Sequence, residues 1–561
     1  MISSPLKTKT LQALLKRSAT EYADRVSLAE VDGPALTYAE WGQRVSEVAE
    51  CLRQNGIVAD DRVAILSENK PHWGVAFFAI TTRGAVAVPI LPDFHPTEIQ
   101  HILRHSGAKA IFVSEKLYGK IEDAAIDSLQ SVFLIEDFSL LPQSARKDKL
   151  SGILQEGSKE LAKLKGAARK ITSLLSGDDA EDALASIIYT SGTTGSSKGV
   201  MLTHKNLIYD ALATFTIVDL GPEDRMVSML PLSHAYECTL GLVAPLMKGS
   251  AVYYLDKPPT ARVLLPALQK VKPTVLLTVP LVIEKIYKNR IQPTFKKKLL
   301  LRGLTKIPVI RKRLYKAAGR KLLASFGGAL RSYCIGGASL CPEVELFLRE
   351  AGFPYAIGYG LTETSPLISG TGPENTAYRA AGKPLPGVEM RIDGPNPKTG
   401  EGEILVRGPM VMKGYYQDAK RTEEVLDKDG WFRTGDLGVF DKQGYLYIKG
   451  RSKNMILGPN GENIYPEEIE SALNEMEEVV ESLVYLRDGK LTAKVCLNYE
   501  VLDSRFSAQK LNPDRIEALL EELRQTVNQN VSSFCRINRI LEQPEPFEKT
   551  PTQKIKRYLY V

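Results

Sequence analysis

Long apolar runs are missing from this 561-residue chain. No stretch reaches the ~18 residues that span a bilayer. The longest candidate, Val275 to Ile283, is interrupted by Pro280, and its pattern predicts a buried strand. The N-terminus lacks a secretory apolar core; Lys7, Lys9, Lys16 and Arg17 are spread through a helical pattern instead. Cysteine is scarce. Cys51, Cys238, Cys334, Cys341, Cys496 and Cys535 are the six, none in C-x-x-C spacing, which argues against dithiol or metal chemistry. They read as small buried hydrophobes in a reducing, cytoplasmic compartment. Histidine is equally scarce, six residues, and zinc is not expected.

Acid is absent from one long segment. Between Lys296 and Lys321 there are eleven Lys and Arg and no Asp or Glu, interleaved with Leu299, Leu300, Leu301, Leu304, Ile307, Val309, Ile310, Leu314 and Tyr315. A basic amphipathic stretch of this kind suits peripheral contact with an anionic membrane, here on the inner face, or attraction of phosphate-bearing ligands, or a plain solvated face. The three readings stay open. Nucleic acid is not expected, because no recognised nucleic-acid motif accompanies the charge.

What is present is an ordinary globular composition, 43% hydrophobic and 25% charged. The length exceeds what one core supports, so two or more domains are expected. Strand-like runs (Arg62–Leu66, Ala85–Ile90, Ala110–Val113, Arg331–Ile335) alternate with helical patterns such as His72–Thr82. That alternation predicts α/β layers with mostly parallel strands. Residues 117–182 read as a variable insertion. Glu403–Arg407 and Gly444–Ile448 read as antiparallel strands with a turn signal between them. A break falls near 450. The domain reading is 1–450 and a small α+β unit at 454–561, with 451–453 at the junction.

The most informative ten residues are Tyr189-Thr190-Ser191-Gly192-Thr193-Thr194-Gly195-Ser196-Ser197-Lys198. They follow an apolar strand-like run and supply hydroxyls, glycines and one lysine. Glycine lets backbone approach a ligand, successive N–H groups form an anion nest, and lysine adds a mobile charge. The G-x-x-x-x-G-K-[ST] spacing fails, since Gly199 follows Lys198. A bare Ser/Gly/Thr stretch would read as a flexible surface turn; Lys198 and the strand-like Gly199-Val200-Met201-Leu202 after it favour a polyphosphate loop of another kind.

This loop, with Lys198-Gly199-Val200, resembles the signature of the adenylate-forming superfamily, which includes acyl-CoA synthetases. Gly358-Tyr359-Gly360-Leu361-Thr362-Glu363, Gly430-Trp431-Phe432-Arg433-Thr434-Gly435-Asp436, Gly450-Arg451-Ser452-Lys453 and Lys554-Ile555-Lys556-Arg557 resemble further motifs of that family, in its order. The stretch from Arg451 to Glu470 resembles its bacterial long-chain fatty-acid–CoA ligases. Ser197 stands where proline is usual, and Thr552-Gln553 where Ser-Gly usually precedes the lysine.

The resemblance implies a large N-terminal domain of layered α/β subdomains with a small β-barrel-like part, then a small mobile α+β domain. It implies ATP, Mg²⁺ and coenzyme A, with a fatty acid as substrate. Thr190, Ser191, Gly192, Thr193, Thr194, Gly195 and Lys198 would hold the β- and γ-phosphates. Thr362 would touch the α-phosphate; Glu363, with Thr190, would bind Mg²⁺, which prefers hard oxygen ligands. Tyr359, between Gly358 and Gly360, would stack on adenine beside the Gly336-Gly337-Ala338 turn. Asp436 would accept the ribose hydroxyls, assisted by Arg451. Lys453 would be the pivot of domain rotation. Lys554 would stabilise charge in the first step. His234, in Leu230-Pro231-Leu232-Ser233-His234, would line the acyl pocket as a packing or gating group. A carrier protein in place of free coenzyme A remains the alternative acceptor.

Overall fold

The computed structural model describes residues 4–122, 126–141, 180–190, 197–296, 303–457, 463–505, 512–532, 535–550 and 554–561. Two large sheets dominate. In the first, seven strands run in the order Gly414–Tyr415, Lys198–Thr203, Leu184–Thr190, Val86–Ile90, Arg62–Leu66, Ala110–Val113, Ser131–Leu134. The last five are mutually parallel, and the first three pair antiparallel. The second sheet has nine strands, with a parallel run from Tyr355–Gly360 through Ser332–Ile335, Val275–Thr278, Arg225–Ser228 and Ala251–Tyr254 to Val26–Glu30.

Helix Pro71–Thr82 is buried over almost its whole circumference. Its sequence, Pro-His-Trp-Gly-Val-Ala-Phe-Phe-Ala-Ile-Thr-Thr, has no polar face to offer water, and Pro71 at its first position pre-sets the helical φ. One apolar cluster contains its Trp73, Phe77 and Phe78, Val63 and Ile65 of the seven-stranded sheet, and Leu28 and Val252 of the nine-stranded sheet. The helix is thus packed between the two sheets. Each of its buried phenylalanines contributes roughly 2–3 kcal/mol.

A third sheet is antiparallel, in the order Glu389–Asp393, Gly402–Arg407, Phe432–Phe440, Leu446–Arg451. Beyond it, strands Val479–Arg487, Lys490–Leu497 and Arg539–Glu542 form a small sheet with helices Pro466–Asn474 and Pro513–Asn530. This is the expected α/β body followed by a small α+β unit. Three apolar clusters are built from residues between Leu6 and Ile448, and two from residues between Ile456 and Tyr560.

Three local expectations need correction. The run Val275–Ile283 is a strand only to Thr278; Pro280 opens helix Pro280–Ile286, because proline suits a first helical position and cannot donate to a ladder. The segment 117–182 is not wholly an insertion: Ser131–Leu134 is a buried strand in parallel register with Ala110–Val113. The strands around 403–407 and 446–451 are not partners, since Phe432–Phe440 lies between them and pairs with both.

The basic segment includes helix Pro308–Ser325. It packs on helix Pro342–Ala351, where a Cβ on Gly319 would stand 2.7 Å from the Ala351 Cβ, and Tyr315 meets Phe347 at 5.1 Å between ring centroids. Ile307 and Val309 are exposed, as are Lys312, Arg313, Lys316, Arg320 and Lys321. Arg311 is different: it forms an ion pair with Glu350 at 2.6 Å. Residues 297–302 lie outside the described residues. Among the described residues, no helix is long and apolar enough to cross a membrane.

Candidate active site

The hydroxyl-rich loop leaves one strand and returns on its antiparallel neighbour. The ladder between Leu184–Thr190 and Lys198–Thr203 ends on the pair Thr190↔Lys198. Ile187, Ile188 and Tyr189 anchor the outgoing strand in the core. Gly199 is required by the return: a Cβ there would lie 2.8 Å from Ile187 and 3.2 Å from the Tyr189 ring. Thr190 and Lys198 therefore stand side by side at the mouth of the loop. Ser191, Gly192, Thr193, Thr194 and Gly195 lie outside the described residues.

Lys198 points at Glu363. Its Nζ is 3.6 Å from Glu363 Oε1 and donates to the Tyr415 hydroxyl at 3.1 Å. Tyr415 in turn donates to Glu363 Oε1 at 2.8 Å, and Lys198 Nζ sits 4.5 Å from the centroid of its ring. Burial lowers the Lys198 pKa, with Glu363 opposing. Tyr415 is a site residue that sequence reading missed. Fifty-two positions separate it from Glu363, and a tyrosine in Gly414-Tyr415-Tyr416 carries no local sign of polar function.

Glu363 and Thr362 are buried in the short 3₁₀ turn Thr362–Thr364, which follows strand Tyr355–Gly360. The strand's end is sterically forced. A Cβ on Gly360 would overlap the Pro366 carbonyl oxygen at 1.7 Å, and one on Gly358 would meet Leu367 at 2.6 Å. The turn is held from below: Met412 N donates to Glu363 O, and Asn206 Nδ2 donates to the carbonyls of Pro409 and Val411 at 2.7 and 3.0 Å.

Asp436 forms the opposite wall. It lies on strand Phe432–Phe440, in register with Arg451 of the next strand. Arg451 Nε stands 2.8 Å from Oδ1, and the Tyr359 hydroxyl donates to Oδ2 at 2.6 Å. Burial raises the Asp436 pKa; Arg451, Tyr359 and Lys554 pull the other way. Lys453 is exposed and close enough to lower the Lys198 pKa slightly.

Lys554 enters from the small C-terminal unit. Its backbone closes a tight loop with Thr550, whose N donates to Lys554 O at 2.7 Å. The side chain stays open to solvent, yet the surrounding protein mass lowers its pKa, as does Arg451, while Asp436 and Glu363 raise it. One ammonium thus feels two carboxylates, Asp436 on a strand of the third sheet and Glu363 in the 3₁₀ turn after Tyr355–Gly360.

His234 lies within electrostatic reach of Lys554, and burial pushes its pKa down to about 4, so it is neutral at physiological pH. Asn69 shapes the segment before it. Asn69 Nδ2 donates to Ser228 Oγ (2.9 Å) and Leu230 O (2.6 Å), and its Oδ1 accepts from Leu232 N (2.8 Å). Tyr236 links this segment to the Gly336-Gly337-Ala338 turn: its hydroxyl donates to Cys334 O at 3.1 Å, and its ring lies 3.2 Å from where a Gly336 Cβ would be. Gly337 has φ +86°, a conformation that favours glycine. Gly336 is buried, whereas Gly337 and Ala338 are exposed.

The donor set fits magnesium. One carboxylate, Glu363, and one hydroxyl, Thr190, are hard oxygen ligands of the kind Mg²⁺ takes singly, with water and phosphate completing its shell. His101 and His105 share helix Pro96–Ser106 at i,i+4 spacing, but His105 Nδ1 bonds the Tyr189 hydroxyl at 2.8 Å. Among the described residues, no three His, Cys, Asp or Glu side chains are grouped to hold a metal.

Residues 15–416 match the family model described as AMP-binding enzyme. The chain belongs to the AMP-binding enzyme family. It is similar to the long-chain-fatty-acid–CoA ligase FadD15 of Mycobacterium bovis, with 30% identity over 93% of this chain and 90% of that one. It is similar also to the chloroplastic long-chain-fatty-acid–[acyl-carrier-protein] ligase AEE15 of Arabidopsis thaliana, with 29% identity over 99% of this chain and 85% of that one. Among solved structures, ATP-bound MatB from Rhodopseudomonas palustris shares the fold, with a TM-score of 0.76, 23% identity and 98% of each chain covered.

Proposed function

We propose that this AMP-binding enzyme activates a long-chain fatty acid in two steps. The carboxylate attacks the α-phosphorus of ATP, giving acyl-AMP and releasing pyrophosphate. The thiol of coenzyme A then attacks the acyl carbon, giving the thioester and releasing AMP. The observation that carries this reading is the gathering of Asp436, Arg451 and Glu363, contributed by separate parts of the chain, within electrostatic reach of Lys554.

Thr190, Lys198 and the hydroxyl loop bind the β- and γ-phosphates. Thr362 touches the α-phosphate. Asp436 accepts the ribose hydroxyls, which requires an ionised carboxylate, and Arg451 beside it favours that form. Tyr359 and the Gly336–Ala338 turn flank adenine. Mg²⁺, held by Glu363 and Thr190, neutralises charge on the phosphates when bound. Lys554 places an ammonium where negative charge grows as the phosphoryl group transfers. Neutral His234 packs along the acyl chain and leaves proton transfer to other groups.

The chain divides at 451–453 into a body and a small domain that rotates between steps about Lys453. The protein works in the cytoplasm, with the exposed lysines and arginines of helix Pro308–Ser325 touching the anionic inner face of the membrane. The relative named as an acyl-carrier-protein ligase favours a second reading of the acceptor, in which a carrier protein replaces free coenzyme A. Pyrophosphate exchange into ATP tests the first step. Exchange that depends on palmitate is expected; none with any acid from acetate to oleate would overturn the reading. Adding coenzyme A, or a carrier protein, then separates the acceptors.

A further inference from the structure

Among the described residues, hydrogen bonds and an ion pair at two places join the small C-terminal unit to the body. One lies at the connecting segment. There the Tyr465 hydroxyl donates to Glu401 Oε2 at 2.9 Å, and Lys449 Nζ stands 3.2 Å from Glu401 and 3.7 Å from Glu468. Asn454 Nδ2 donates to Glu467 Oε1 at 2.6 Å close by. The other contact lies at the opposite end of helix Pro466–Asn474. Lys288 Nζ donates to the backbone carbonyl of Asn474 at 2.6 Å.

Asn474 is the last residue of that helix. Carbonyls in a last turn have no intrahelical partner, and the helix dipole makes that end negative. An ammonium there satisfies both. The following residue, Glu475, is within electrostatic range of Lys288, Arg379 and Glu343. Lys288 itself stands on a wide π-type turn, Tyr287–Ile291, and the hydroxyl of its neighbour Tyr287 is fixed to Glu343 at 2.9 Å. The lysine therefore projects from a firm base on the body.

The position of this contact sets its consequence. Nine residues at ~1.5 Å each separate the two helix ends by about 13 Å. A rotation about 451–453 displaces the end beside the connecting segment little. Any such rotation whose axis does not run along the helix carries the Asn474 end away from Lys288.

We propose that Lys288 is a latch: a positioning residue that holds the small domain where Lys554 faces Asp436 and Glu363, and that releases it for the second step. Lys288 touches no reacting group. Its effect is confined to how often the domain occupies the orientation used for acyl-AMP formation. The inference rests on the two-step reading given above.

The two half-reactions measured apart test it, on Lys288→Ala and Lys288→Arg in the full chain. Palmitate-dependent pyrophosphate exchange should fall about tenfold in K288A, the scale of a lost charge-assisted hydrogen bond. Thioester formation from supplied palmitoyl-AMP and coenzyme A should stay at the wild-type rate or rise, which also shows that the variant is folded. K288R should recover most of the exchange, since a guanidinium donates to the same carbonyl. Equal loss of both half-reactions, or exchange at the wild-type rate in K288A, would overturn the latch. Absence of exchange in the wild type would instead remove the underlying reading, and the latch with it. Wild-type exchange matched by K288A removes the latch alone.

Discussion

Tyr359 and Asp436 stand on different sheets and are joined by a 2.6 Å hydrogen bond from the tyrosine hydroxyl to Oδ2. Arg451 completes the carboxylate's surroundings on its other oxygen. The group proposed to hold ribose is therefore preset by the protein. Asp436→Ala should raise KM for ATP by about tenfold or more, with a smaller change in KM for palmitate. Steady-state kinetics with each substrate varied in turn will check this. An equal rise for both substrates would point to a general disturbance.

Lys554→Ala should lower acyl-AMP formation by at least about a hundredfold, because charge stabilisation at the transferring phosphoryl group is lost. Thioester formation from supplied acyl-AMP should be nearly unchanged. The lowered pKa of Lys554 has a sign that can be read as well. Its cationic form is lost at a lower pH than for an ordinary lysine. The alkaline limb of the adenylation rate should fall at a lower pH than an ordinary lysine would set, and the K554A residual rate should lack that limb.

Gly360→Ala places a Cβ 1.7 Å from the Pro366 carbonyl oxygen, so the backbone carrying Thr362 and Glu363 must move. A destabilisation on the order of 3 kcal/mol is expected, with loss of exchange activity. Chemical denaturation and the exchange assay measure the two effects. Wild-type values for both would show that the turn yields freely.

Glu237 is buried, accepts from Ser228 Oγ at 2.5 Å, and has its pKa pushed up to about 8 by burial. The unfolded chain releases this proton near pH 4.5, the folded one only near 8. Its stabilising contribution is whole below the lower value and is lost as pH rises through the upper. Stability should fall across that window with a slope of up to about 1.4 kcal/mol per pH unit. Glu237→Gln should flatten the slope in thermal unfolding scans from pH 5 to pH 8.

Replacing Lys312, Arg313, Lys316 and Arg320 by Ala should weaken sedimentation with anionic vesicles, since each basic group near such a surface adds about 1 kcal/mol. Turnover of a short soluble acid should stay unchanged. Arg311 is left in place, because its pair with Glu350 ties the helix to its neighbour. Undiminished sedimentation would remove the membrane reading and leave the segment as a solvated face or an attractor of phosphate-bearing ligands.

Local pattern determined much of this protein. The strands at Arg62–Leu66, Val86–Ile90 and Ala110–Val113, the buried helix from Pro71, and the α+β character of the last hundred residues follow from apolar periodicity and proline placement, which act over a few neighbours. Order along the chain also brought Lys198, Glu363, Asp436, Arg451 and Lys554 into view as a set, because each stands in its own short motif. Strand partnership was another matter. Whether Gly402–Arg407 pairs with Leu446–Arg451 depends on which strand lies along its open edge, and Phe432–Phe440 occupies that edge. Ser131–Leu134 likewise becomes a core strand only because Ala110–Val113 offers it an edge. Tyr415 and Lys288 gain their significance solely from partners 52 and 186 positions away. Such contacts depend on how whole layers and domains are oriented, and no neighbouring residue in the chain encodes that.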